Sequence, residues 1–90
     1  MGTAKGVVMV LAEEEVRALE DVRRGLLAVH NGFLGAGECY LWSAGGRVPP
    51  WECQALDRLL RRGLAAVARR RGAVDSPVVL TDLGAVRLAA

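Results

Sequence analysis

The stretch "ALDRLLRRGLAAVARRRGAVDSPVVLTDLGAVRLA", residues 55–89, carries the most regular pattern in the chain. Leu56, Leu59 and Leu60 recur at the spacing of one helix face, and Gly63 is the residue type that ends helices in a left-handed conformation. Two apolar runs then flank a turn rich in Gly, Asp, Ser and Pro, which is typical of a β-hairpin. The order predicts a helix, a hairpin and a second helix.

The boundaries of these elements follow from local signals. Two prolines suit the first turn of a helix over residues 50–62, and the hairpin strands are expected at 65–70 and 77–80. Thr81 is expected to cap the final helix. The apolar side chains of that helix predicted to point inward are Leu83, Val86 and Leu88.

Upstream, the segment "LAEEEVRALEDVRRGLLAVHNG" places apolar residues three and four positions apart, with acids first and arginines later. This pattern predicts one amphipathic helix over residues 12–30 that ends at Asn31-Gly32. A glycine-rich segment follows, and a short strand is expected at 38–43. We identify no internal repeat, and the order is helix, strand, helix, hairpin, helix.

Length and composition indicate a single domain over residues 1–90, with residues 1–10 as a flexible N-terminus. The chain is 52% hydrophobic but only 4% aromatic, so the core must consist mainly of Leu, Val and Ala. Cys39 and Cys53 form no disulfide framework and are expected to be buried, reduced thiols. No signal peptide or membrane span is apparent, so we expect a cytoplasmic protein.

Charge is unevenly distributed, although the net charge is only +2. Residues 1–45 hold four basic and six acidic residues, whereas residues 46–90 hold eight arginines and four acids. Eleven of the twelve basic residues are arginine, which can contact phosphate or guanine through two hydrogen bonds at once. The run Arg69–Arg71 is either the solvated rim of a hairpin or part of a surface that binds an anion such as phosphate. A surface of one sign costs repulsion unless an anion relieves it, which favours the second alternative.

The stretch quoted above resembles the second half of winged-helix DNA-binding domains of the MarR and PadR type. In those domains a recognition helix of pattern L-x-x-L-x-x-x-G-L leads into a β-hairpin wing, which returns through L-T-x-x-G into a helix. The resemblance covers about residues 50–90, and similar small domains occur among actinobacterial and phage proteins. The matching residues are Leu56, Leu59, Gly63 and Leu64, then Leu80, Thr81 and Gly84.

The resemblance implies an α+β, winged helix-turn-helix-like fold that binds double-stranded DNA. Helix 50–62 would enter the major groove, and hairpin 65–80 would be the wing that approaches phosphates or the minor groove. The function implied is that of a small transcriptional regulator or of an accessory factor in phage recombination or replication. The expected DNA-contacting residues are Arg47, Trp51, Gln54, Arg58, Arg61, Arg62, Arg69, Arg70 and Arg71.

One feature departs from that family. The winged-helix domain has a short helix before the recognition helix, whereas this chain has the glycine-rich segment 32–48 there. Either a degenerate helix lies around residues 38–44 or the first helix of the motif is missing. Trp51 either packs the proline-led turn onto the core or lies exposed as a stacking contact.

A second hypothesis belongs to another class: a protein interaction module on the same scaffold, for example a phage protein that binds an acidic host factor. A homodimer contact through the first helix is a further alternative. An enzyme is not expected, because His30 lacks an acidic residue at ligand spacing and neither cysteine has an evident basic partner. No cofactor and no metal ion are expected.

Overall fold

The computed structural model describes residues 11–30 and 39–89, which form three helices and one four-stranded antiparallel sheet. The chain is therefore α+β, as expected. The expectations for residues 1–10, for the Asn31-Gly32 cap and for the Cys39 side chain lie outside the described residues. In chain order the elements are helix α1 (Glu13–Arg23), strand β1 (Leu27–His30), strand β2 (Cys39–Trp42), helix α2 (Pro50–Arg61), strand β3 (Ala65–Val67), strand β4 (Asp75–Leu80) and helix α3 (Asp82–Ala89).

The sheet has the order β2-β1-β4-β3, and every neighbouring pair is antiparallel. Strand β4 pairs with β3 through Val67 and Val78, and with β1 through Ala28 and Pro77. The β3–β4 hairpin thus supplies two of the four strands of the sheet. Only its connection, residues 68–74, lies outside the paired strands. An isolated bridge adds Arg47 beside Leu41 at the β2 edge.

Helices α1 and α2 pack on one face of the sheet and on each other. The largest fully buried residues are mainly aliphatic, as the composition predicts. They include Leu19, Leu27, Leu56, Leu59, Leu64 and Val78.

The prediction of one helix over residues 12–30 is wrong. Helix α1 ends at Arg23, because Gly25 adopts a φ of 74° and directs the chain into strand β1. The amide of Leu26 donates to the Asp21 carbonyl, and the amide of Gly25 donates to the Val22 carbonyl. This Schellman pair satisfies the carbonyls at the helix end.

Helix α2 ends in the same way, with Gly63 at a φ of 76° and the amide of Leu64 donating to the Leu59 carbonyl. The chain therefore does contain an internal repeat, contrary to expectation. The unit reads "EVRALEDVRRGLLAV" over residues 15–29 and "ECQALDRLLRRGLAAV" over residues 52–67, with one extra residue in the second copy. In both copies the helix buries the first glutamate and the Ala-Leu pair that follows.

The second half of the chain agrees with the prediction more closely. Helix α2 begins at Pro50 and ends at Arg61, within one residue of the expected range, and Thr81 Oγ1 accepts a hydrogen bond from the Gly84 amide at 3.0 Å. The hairpin strands differ from the prediction at their ends. The first strand spans Ala65–Val67 and ends three residues early, so Arg69 and Arg70 lie in the connection and not in a strand. The second strand spans Asp75–Leu80 and begins two residues early.

The inward face of α3 was predicted wrongly. Leu83 and Val86 are exposed, and the buried position of the helix is Gly84. Leu88 does pack against the core, as expected. Compared with the prediction, the helix is rotated about its axis. Its glycine, the smallest residue, lies against the backbone of Leu64, so a different face of the helix points inward.

Residues 39–42 form strand β2, so a degenerate helix around residues 38–44 is wrong. In the described part of the chain, no helix lies between α1 and α2. Among residues 39–48, the described part of that segment, the structure therefore has a strand where the winged-helix motif has a helix.

Candidate nucleic-acid interface

Three of the predicted contact residues, Arg58, Arg61 and Arg62, lie at the C-terminal end of helix α2. Arg61 is exposed, whereas Arg58 and Arg62 point back toward the start of helix α1. Neighbouring positions on a helix face different directions. The end of α2 therefore directs one arginine to solvent and two toward α1.

Arg58 and Arg62 both bind the carboxylate of Glu15, which is 3% exposed. Arg58 Nε donates to Glu15 Oε2 at 2.8 Å, and Arg62 Nη1 donates to Glu15 Oε1 at 3.3 Å. The Ala12 amide at the start of α1 donates to Glu15 Oε1 at 2.9 Å. We call Glu15, Arg58 and Arg62 the Glu15 cluster.

The electrostatics of the Glu15 cluster favour the ionised carboxylate. Burial raises the pKa of Glu15, but the hydrogen bonds from Arg58 and from the Ala12 amide and the charges of both arginines outweigh it. The pKa of Glu15 therefore lies below its ordinary value. The cluster joins the two helices by charge, and it occupies two arginines that the sequence predicted to contact DNA.

Replacing Glu15 with alanine is expected to destabilise the fold by about 2 kcal/mol, because one change removes a helix-capping acceptor and the partner of two arginines. The two arginines are only partly buried, at 38% and 37% exposed, so water limits the loss. Urea unfolding of E15A measures this effect.

The control is E14A, because Glu14 is exposed and approaches Arg58 only to 4.0 Å. We expect its free energy of unfolding to stay within about 0.5 kcal/mol of the parent protein. Equal losses in E15A and E14A would contradict the role assigned to the cluster.

The other predicted arginines lie elsewhere and remain exposed. Arg69, Arg70 and Arg71 lie in the β3–β4 connection, residues 68–74, which we call the arginine loop. Arg47 lies beside the β2 edge. Among residues 11–30 and 39–89, none of Arg47, Arg61, Arg70 and Arg71 forms an ion pair.

The arginine loop has a defined backbone. The Arg70 amide donates to Ser76 Oγ at 3.0 Å, and the Ala73 amide donates to the Arg70 carbonyl at 3.2 Å. Gly72 adopts a φ of 79°, which a residue with a side chain rarely tolerates. Three consecutive arginines are thus held on a formed turn at one end of the sheet.

The remaining predicted contacts on α2 are Trp51 and Gln54, and both are exposed. Gln54 is available for a hydrogen bond to a base edge. Asp57 lies one turn further along and accepts a hydrogen bond from the Tyr40 hydroxyl at 2.5 Å. This carboxylate makes the exposed face of α2 less basic than predicted.

Trp51 is exposed and is not among the residues that pack against the core. The residue is 36% exposed, and the Arg17 guanidinium lies 6.0 Å from the centroid of its ring. Trp51 and Trp42 also line a cleft of about 440 Å³ between α1 and the start of α2, which we call the tryptophan cleft. Trp51 is therefore a surface aromatic with an intramolecular cation at its face.

His30 and Cys53 occupy structural positions. His30 lies in strand β1 instead of at a helix end, and its Nδ1 is 3.4 Å from Asp75 Oδ1. Cys53 is a half-buried thiol, and its Sγ lies 3.5 Å from the Val48 carbonyl oxygen. Within the described residues, no three His, Cys, Asp or Glu side chains converge as a metal site.

Two buried glutamates escaped the sequence reasoning, namely Glu15 and Glu52. Both begin the pattern E-x-x-A-L on their helix, and both precede the Ala-Leu pair that enters the core. The repeated pattern was the signal that could have found them.

In the part of the chain that the structure describes, no helix is both long and apolar enough to cross a membrane. No protein family model, no curated protein and no solved structure matches the chain.

Proposed function

We propose that the protein binds double-stranded DNA through the exposed arginines of the arginine loop. The observation that carries this proposal is the run Arg69-Arg70-Arg71 on a hydrogen-bonded turn, with no ion pair for Arg70 or Arg71 among the described residues. Exposed guanidinium groups bind phosphates through paired hydrogen bonds and release counterions from DNA.

In this proposal the hairpin acts as the wing of a winged-helix-like domain, and α2 contributes a reduced set of contacts. Arg61 and Gln54 remain on its exposed face, whereas Arg58 and Arg62 support the fold through Glu15. Contacts to phosphate outnumber contacts to bases, so affinity depends more on charge than on sequence. A cytoplasmic location is part of the same proposal.

A fluorescence-anisotropy titration of a mixed-sequence duplex at two salt concentrations tests the proposal. With about four arginines on phosphates, the logarithm of affinity should fall against the logarithm of salt concentration with a slope near −3.6. Removing two of them in R70A/R71A should reduce the slope to about −1.8 and weaken binding to all sequences alike.

The matched control is R23A/R24A, which removes the same charge from exposed residues at the end of α1. Its slope should equal that of the parent protein. If R70A/R71A and R23A/R24A bind DNA equally well, the arginine loop is not the interface.

A second candidate is the protein interaction module, and exposed aliphatic side chains favour it. Val86 is 64% exposed on α3, and Leu83 and Val79 are exposed nearby in the chain. Apolar residues gathered on a surface commonly mark a protein contact. Absence of DNA binding at low salt would favour this candidate over the first.

A further inference from the structure

The repeat places Glu15 and Glu52 at equivalent positions, but their partners differ in the sign of their charge. Asp21 follows Glu15 by the same number of residues as Arg58 follows Glu52. Across the helix pair, Glu15 contacts Arg58, and Glu52 contacts Asp21. The contacts are therefore reciprocal, but one is a salt bridge and the other joins two carboxyl groups.

Glu52 is a buried acid to which no cation of the described residues is bonded. The residue is 1% exposed, and its Oε2 atom has no hydrogen-bond partner in residues 11–30 and 39–89. Burial and then the hydrogen bond and charge of Asp21 raise the pKa of Glu52 to about 8, while Arg17 acts on it in the opposite direction through charge. An unsatisfied buried carboxyl oxygen is costly unless something else pairs with it.

Glu52 lies in the wall of the tryptophan cleft. The cleft holds about 440 Å³, and its lining includes Arg17, Asp21, Arg24, Trp42, Trp51 and Glu52. It thus combines two aromatic walls with a carboxyl group that has one unpaired oxygen among the described residues. These are the features that recognise a planar organic cation.

We propose that the tryptophan cleft binds an alkylguanidinium group, which donates hydrogen bonds to the carboxyl oxygens of Glu52 and lies against the Trp51 ring. The equivalent glutamate, Glu15, is already paired with guanidinium groups, so the same helix position accepts this donor. Arg17 at 6.0 Å from the Trp51 centroid places a guanidinium group near that ring. Because the Arg17 side chain is exposed, it can rotate away as a ligand enters.

The direct test is a titration of the ¹⁵N-labelled protein with ethylguanidinium chloride, followed by two-dimensional NMR. We expect saturable shifts of the Trp42 and Trp51 indole N–H signals and of amides near Asp21 and Glu52, with a Kd of about 1 mM. Ethylurea, a neutral molecule of similar shape, should leave those signals in place. Equal shifts with both compounds, or none with either, would overturn the proposal.

Three variants locate the site. E52Q should weaken ethylguanidinium binding at least about tenfold, because the carboxyl group of Glu52 can release its proton and become a charged acceptor as the cation binds, whereas the amide stays neutral. E13Q removes a charge from the exposed start of α1 and should bind like the parent protein. D21R introduces the arginine that the other half of the repeat already has, so it should raise the melting temperature and abolish binding.

D21R leaves the Glu52 side chain in place, so it tests the cleft even if E52Q does not fold. Unchanged binding in D21R would overturn the assignment of the site.

The guanidinium group could belong to a small molecule or to an arginine side chain of a peptide, and the tripeptide Gly-Arg-Gly separates these sources. Binding of ethylguanidinium but not of the tripeptide assigns a small molecule. Binding of both, with the tripeptide at least as tight, assigns a peptide side chain. Both results support the cleft as a guanidinium site, whereas no shift with either ligand rejects it.

Discussion

Replacing Gly84 with alanine is expected to destabilise the protein by about 4 kcal/mol or more, enough to remove most of the stability of a domain this small. A Cβ atom on Gly84 would overlap the carbonyl oxygen of Leu64 and lie 2.9 Å from its carbonyl carbon. These are backbone atoms at the end of helix α2, so no side-chain rotation relieves the clash. Urea unfolding of G84A measures the loss.

The matched control is A85G, the next position of the same helix, which is exposed. It should cost only about 1 kcal/mol, the ordinary penalty of glycine in a helix. A helix normally gains from glycine-to-alanine replacement, so a G84A protein as stable as its parent would disprove the close approach of α3.

Gly84 matters because α3 is joined closely to the end of α2. Thr81 Oγ1 donates to the Gly63 carbonyl at 2.6 Å, and the Thr81 amide donates to the Leu64 carbonyl at 3.3 Å. The same hydroxyl accepts from the Gly84 amide. One threonine thus caps α3 and positions it against the preceding helix end.

The second large effect is a loss of stability as pH rises. Glu52 is buried beside Asp21, and its pKa is raised from 4.5 to about 8. Between these two pH values the folded protein holds a proton that the unfolded chain releases. The contribution of Glu52 to the free energy of unfolding is therefore greatest below pH 4.5, and it is lost as the pH rises through 8. The expected loss is on the order of 4 kcal/mol.

Chemical denaturation of the parent protein at about pH 5 and about pH 9 measures this loss. E52Q should remove most of the dependence, because glutamine stays neutral and keeps a hydrogen bond to Asp21. At the higher pH, E52Q should be more stable than the parent protein. E13Q should retain the full dependence, and a parent protein equally stable at both pH values would contradict the assignment.

The second half of the fold could be predicted because its signals are local. Two prolines open α2, Gly63 closes it, and Thr81 caps the helix that follows. Each signal acts through backbone geometry within a few residues. The presence of two strands followed from the turn between them, but the ends that face the turn did not.

The end of α1 could not be read from hydrophobic spacing, because residues 26–29 continue the helical spacing while they belong to a strand. Such short apolar runs suit either structure. The tetrad Arg-Arg-Gly-Leu at residues 23–26 recurs at 61–64, where the same sequence was recognised as a helix end. The match between the two copies therefore indicates that α1 ends before Gly25.

The site was predicted in part. Arg69, Arg70 and Arg71 are exposed as predicted, although the prediction placed the first two in a strand. The engagement of Arg58 and Arg62 did not follow from α2 alone. Their partner, Glu15, lies on another helix far earlier in the chain. The spacing of apolar residues predicts which face of a helix is buried. It does not predict which other helix packs there, and the ion pairs depend on that neighbour.

Because both copies of the repeated helix lie in one chain, equivalent positions in the two copies can hold different residues. Two identical subunits would have to carry the same residue at both symmetry-related positions, so both glutamates would face arginine or both would face aspartate. A single chain with two copies is free of that constraint. Here one copy of the contact holds the helices together by a salt bridge, and the other keeps a buried acid beside an aspartate. That acid is the one for which we propose a cation from outside the protein.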